Sequence, residues 1–140
     1  GVGRPRSEAP ERRATEAFAR QRLRLAHVVL EAGFPGDAVR AAYEAVAASL
    51  RARLAAPIAD GHPALVAAIY GELLPAGAIP STLPAALARI HDLLLLEEHA
   101  LPIDAGIAAS AVEDARAWLE RDDAFAPRAE PPRAAAAAPS

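Results

Sequence analysis

Cysteine is absent from these 140 residues, which excludes disulfides, thiol nucleophiles and thiolate metal sites. Lysine is absent too: all 15 basic residues are arginine, a bias that a GC-rich genome produces. There is no methionine, and a chain opening Gly1-Val2-Gly3 is expected to be a fragment of something longer or a processed product. No run approaches the ~18 uninterrupted apolar residues of a membrane span. Arg4, Arg6, Arg12 and Arg13 interrupt any signal-peptide core. No membrane partner is expected, and the cytoplasm is the expected location. Period-two alternation is missing and β-branched residues are sparse, which argues against strands. Gly-rich phosphate loops, a Ser/His/Asp order and paired carboxylates of the glycosidase type are not found.

What is present suffices for one domain with a real core. The net charge of −3 is unevenly spread. Residues 1–24 hold seven Arg against Glu8, Glu11 and Glu16, a net of +4, and the remainder carries −7. Such asymmetry marks either a charged docking face or the solvated side of a first helix. Without interleaved aromatics it is a weak nucleic-acid signal. Residues 1–10, with Pro5 and Pro10, read as a flexible lead-in, and 126–140 as a disordered Pro/Ala-rich tail. The folded part is expected over 11–125.

Within it the apolar spacing predicts helices. The first runs from about Glu11 to Ala32, with Phe18, Leu23, Leu25, Ala26, Val29 and Leu30 as its apolar stripe. Gly33 stands where a left-handed C-cap belongs. The second runs from about Gly36 to Ala55 on Val39, Ala42, Tyr43, Val46, Leu50 and Leu54, flanked by alanines that permit close helix approach. Asp60-Gly61-His62-Pro63 turns into a third, about Pro63 to Leu74, with proline suited to its first position. Ser81 or Thr82 is expected to cap a fourth that runs to about His99. Asp104 or Ser110 opens a fifth, whose stripe is Ile107, Ala111, Ala115, Trp118 and Leu119. The expected fold is all-α, an up-down bundle of four or five helices.

The break Glu31-Ala-Gly-Phe-Pro-Gly-Asp-Ala-Val-Arg-Ala-Ala-Tyr-Glu-Ala-Val46 carries a family likeness. Gly33, Phe34, Asp37, Ala38, Ala41, Ala42, Tyr43, Ala45 and Val46 resemble the opening hairpin of the HEPN superfamily (higher eukaryotes and prokaryotes nucleotide-binding), and Asp60-Gly61-His62 is similar to a turn before the third helix of many members. The resemblance implies a HEPN-like bundle. Many members are ribonucleases whose Arg-x4–6-His motif on a late helix works across a homodimer. In that chemistry the arginine steadies phosphate charge and the histidine moves a proton. Here Arg22-x4-His27 and Arg20-x6-His27 match only within the first helix, while Arg89 and His91, or Arg89 and His99, have the wrong spacing. The nuclease site is therefore not carried over. The stretch 23–35 is also similar to C-terminal modules of some bacterial SNF2-like helicases.

Other constellations are thinner. His91, Asp92, Glu97, Glu98, His99 and Asp104 are the densest set of potential metal ligands, but the histidines lack the i, i+3 or i, i+4 spacing of helical sites. No metal or other cofactor is expected. His62, at a helix start, and Arg12, Arg13, Arg20 and Arg24 are the candidates for phosphate contact. Turn chemistry and a solvated helix face explain the same residues. His27 reads as a boundary or core histidine, and Tyr43 as a core residue whose hydroxyl reaches a polar partner. Four consecutive leucines, Leu93, Leu94, Leu95 and Leu96, cannot all face one core. Either the fourth helix is buried on both sides or part of the run is an interface.

The expectation is a non-catalytic HEPN-like interaction module of a larger nucleic-acid-acting protein. Its partner would be the rest of the parent chain or a second copy in a homodimer. The competing classes are a HEPN ribonuclease with an atypical site at His27, His62 or His91, and a nucleotide-binding helical module.

Overall fold

The computed structural model describes residues 4–125, with side-chain surroundings for 10–121. The expected tail over 126–140 lies outside the described residues. The elements are α1 (Arg4–Glu31), α2 (Pro35–Ala52), α3 (His62–Ala68, continued by one π-helical stretch, Ile69–Leu73), α4 (Leu83–Glu98) and α5 (Ala105–Phe125). No strand occurs among the described residues, so the fold is an all-α bundle. None of these helices is long and apolar enough to cross a membrane. Helix α1 is described from Arg4, within the segment expected as a lead-in, and Pro10 lies inside it.

The α1–α2 turn forms as the glycine position requires. Gly33 adopts φ +94°, its N–H donates to the Leu30 carbonyl at 3.1 Å, and the Phe34 N–H donates to the Val29 carbonyl at 2.9 Å. Together these bonds close a Schellman motif and use carbonyls that a helix end leaves unpaired. Pro35 then opens α2 at a position where its missing N–H costs nothing.

Helix α2 is the hub. It buries Ala38, Val39, Ala41, Ala42, Ala45, Val46, Ala48 and Leu50, and its alanines let α1, α4 and α5 approach closely. The Glu97 carboxylate on α4 lies so near Gly36 that a Cβ there would collide with its Oε1. The C-terminal end of α4 therefore meets the N-terminal end of α2, and the two run antiparallel. Trp118 of α5 donates its indole N–H to Ser49 Oγ at 3.0 Å near the other end, so α5 runs parallel to α2. Fully burying a Leu or Ile such as Leu50, Leu65, Ile69 or Leu87 contributes about 1.5–3 kcal/mol each.

Two stripes are corrected. Phe18 and Leu25 are exposed; the inner face of α1 is instead Ala19 and Ala26, with Leu23, Val29 and Leu30 beside them. A close α1–α2 approach leaves no room for a phenyl ring between them, so small residues take the contact. On α5, Ile107 is exposed while Ala111, Ala115, Trp118 and Leu119 are buried. The caps divide likewise. Asp104 Oδ2 accepts the Ile107 N–H at 3.1 Å and opens α5, whereas Thr82 precedes α4 in helical conformation and its side chain makes no capping bond.

Candidate functional site

Tyr43, His62 and His91 come from three different helices and meet at one point. Tyr43 projects from the half-buried edge of α2, and its hydroxyl lies 2.7 Å from His62 Nδ1. His62 is the first residue of α3. His91 comes from the middle of α4, and its ring lies parallel to that of His62, with centroids 3.5 Å apart and planes 3° from coincidence. The Tyr43 ring stands 5.7 Å from His62 and 5.6 Å from His91, tilted 49° to each.

The loop before α3 sets this geometry. Arg51 Nη1 donates to the Ala59 carbonyl at 3.1 Å and Nη2 to the Gly61 carbonyl at 3.0 Å, so one guanidinium fork fixes the approach to His62. Gly61 takes φ +105°, a conformation that side chains other than glycine rarely adopt. At the loop's start the Ala55 N–H donates to Glu72 Oε2 at 2.8 Å, from the π-helical stretch.

Burial holds the Tyr43 phenol above its ordinary pKa, against the opposing pull of Arg51, so it stays protonated as a donor. His62 is pushed below its ordinary value, first by burial and then by the neighbouring His91, with Asp92 pulling the other way. With the phenol O–H donating, Nδ1 of His62 accepts and its ring proton sits on Nε2. A metal ion bound in the plane of one ring cannot lie in the plane of the other, so the stack as it stands cannot chelate one ion. What His62 can do, hydrogen-bonded to the Tyr43 hydroxyl, is take part in proton transfer.

The remaining candidates are dispersed. Among the described residues no group of three His, Asp or Glu side chains is gathered for a metal. Arg40 lies 3.9 Å from Glu97 and 3.8 Å from Glu98, His99 Nδ1 meets the Leu95 carbonyl at 2.8 Å, and Asp104 caps α5. His27 is exposed on α1 rather than in the core or at its boundary. Arg89 lies 3.5 Å from Asp114 of α5. Of the phosphate candidates, Arg12 lines a cleft of about 280 Å³ with Arg51, where Glu11 and Asp60 offset both cations. Arg13, Arg20 and Arg24 are exposed and share one outward face of α1 by their spacing, and His62 is engaged by Tyr43 and His91.

The leucine run divides. Leu94 is only 7% exposed in the core and Leu93 packs half-buried against it, while Leu95 and Leu96 are 39% and 37% exposed. Leu94 thus serves this chain's own core, a correction to its place in a four-leucine interface. Leu101 and Ile107 are exposed just beyond, and the Leu101 N–H donates to the Leu96 carbonyl at 2.9 Å.

No family model, curated protein or solved structure matches this chain. Sequence reasoning named Tyr43, His62 and His91 singly and missed their convergence. It missed Arg51 and Glu72 as loop clamps and Ser49 as the partner of Trp118. The last had a signal, a lone serine within an alanine-rich inner face opposite an indole that needs an acceptor.

Proposed function

We propose that this chain is a helical interaction and assembly module of a larger nucleic-acid-acting protein, HEPN-like, and similar in kind to the modules that follow the motor of bacterial SNF2-like helicases. The observation that carries the reading is the apolar junction from α4 to α5, where Leu95 and Leu96 near the end of α4, Leu101 in the connection and Ile107 in the first turn of α5 are all exposed. Apolar surface clustered in this way gains about 25 cal/mol for each Å² it hides from water, and a packed parent chain supplies that cover. The hairpin likeness supports the family, and the outward arginines of α1 support a phosphate-bearing partner.

Hydrogen exchange tests the reading. Amides of the segment 95–107 are expected to be slower in the parent chain than in the isolated module, and Leu95→Glu with Leu96→Glu is expected to abolish the difference. Equal exchange in both settings would overturn it. Phosphate contact has its own test: binding to DNA or RNA that falls steeply with salt, because such contacts release counterions.

One observation favours a second reading, an atypical ribonuclease. The His62–His91 pair beside Tyr43 is an acid–base arrangement, with a half-buried imidazole held neutral. Its test is RNA cleavage that disappears in both His62→Ala and His91→Ala; cleavage that survives either change excludes it.

A further inference from the structure

Helix α1 packs on α2 and α5 with one face and leaves an apolar stripe on another. On that stripe Phe18 is 41%, Leu25 37% and Val28 63% exposed, and Phe34 in the following turn is 56% exposed. Phe18 and Leu25 are one heptad apart, and Val28 stands three residues further on, so the three share a seam that rises about 15 Å along the helix. Gln21 and Ala32, both exposed, complete it. Arg24 and Glu31 border the seam, also one heptad apart, and neither has an ion-pair partner among the described residues.

These residues are paired by a two-fold rotation centred near Ala26. Laid antiparallel on a second copy, Leu25 meets Val28 of the other chain, Gln21 meets Ala32, and Phe18 reaches Phe34 at the other chain's turn. Each contact occurs twice. Arg24 then stands beside the other chain's Glu31, and Glu31 beside the other's Arg24, so both unpaired charges are answered by the same rotation. Any heptad seam sets its a positions against d positions under such a rotation. The reciprocal Arg24–Glu31 charges are what fit a second copy in particular, as a closed isologous dimer requires.

We infer that the chain forms a two-fold symmetric dimer through α1, with Phe18, Leu25, Val28 and Phe34 as its apolar contacts and reciprocal Arg24–Glu31 pairs fixing the antiparallel register. This surface is separate from the leucine-bearing end at Leu95 and Leu96. The dimer leaves that end free, so docking there and self-association stand or fall independently; of the outward arginines of α1 the dimer engages Arg24, while Arg13 and Arg20 stay on the outward face.

Light scattering of the full chain from micromolar to near-millimolar concentration is the test. The expected result is a concentration-dependent approach to twice the chain mass. Arg24→Glu sets a carboxylate against Glu31 at both symmetric contacts and should raise the dimer Kd by at least about tenfold. Glu31→Arg should weaken self-association as well, and an equimolar mixture of the two variants should regain a dimer, because every pair is then of opposite sign. Circular dichroism of each variant separates lost pairing from lost folding, and mixing rescues only the former. A wild-type chain that stays monomeric throughout, or a dimer that resists both Arg24→Glu and Val28→Glu, would overturn the inference.

Discussion

The imidazole rings of His62 and His91 are stacked face to face, with centroids 3.5 Å apart, where α3 begins against α4. Two imidazolium ions at that distance repel, and the partly buried His62 resists protonation even singly. Above its ordinary pKa of about 6.5, His62 is neutral in both the folded and the unfolded chain and contributes no pH dependence. Below that value the unfolded chain takes up a proton that the folded His62 refuses until its own lower pKa is reached. Stability should therefore be full above about pH 6.5 and fall as the pH drops below it. The urea midpoint measured between neutral and mildly acidic pH should show the decline, and His62→Gln should flatten this part of it. An unchanged slope in that variant would place the acid sensitivity elsewhere.

Ser49 is the one buried polar residue among the described side chains, and it accepts the Trp118 indole N–H at 3.0 Å. Ser49→Ala removes the acceptor and leaves a buried donor unsatisfied. The cost should be about 1–3 kcal/mol, read from the urea midpoint at unchanged m-value. Trp118→Phe removes the donor at the same time and loses packing instead, so the double variant should cost less than the two single changes combined.

Ala100 closes α4 in the left-handed region at φ 59°. Its N–H donates to the Glu97 carbonyl at 3.0 Å, and the Leu101 N–H donates to the Leu96 carbonyl at 2.9 Å. This is the same Schellman pattern that Gly33 closes after α1, here with a Cβ that crowds its own backbone. Ala100→Gly should stabilise the fold by about 0.5–1 kcal/mol, since relief of the left-handed strain outweighs the added freedom of the unfolded chain. A rise in Tm checks it.

How much was legible in the sequence follows from the range of each interaction. Val39, Ala42, Val46, Leu50 and Leu54 keep helical spacing, and all five are buried. The Gly33 cap was legible because its conformation depends on a few neighbouring residues. Phe18 and Leu25 were misplaced because α1 has apolar residues on two flanks, and periodicity alone cannot say which one meets α2. That choice rests with the alanines of α2, which set the distance between the helices. The Tyr43–His62–His91 cluster depends on where the loop between α2 and α3 delivers its end, and Arg51 and Glu72 settle that through bonds to backbone groups. No residue pattern announces such bonds.

The leucine run of α4 gives the sharpest contrast between neighbouring positions. Leu94 is buried among the core residues, whereas Leu95, one residue on, is substantially exposed. Leu94→Glu forces a carboxylate into the apolar centre and discards the leucine's own burial, a combined loss of at least about 3 kcal/mol. Leu95→Glu keeps its new charge in water and should change stability by no more than about 0.5 kcal/mol. Urea unfolding of the two variants should therefore differ widely, with Leu95→Glu near the unsubstituted chain and Leu94→Glu poorly folded. Similar midpoints would mean that the α4 face is turned otherwise. They would also remove Leu95 from the exposed end on which docking depends.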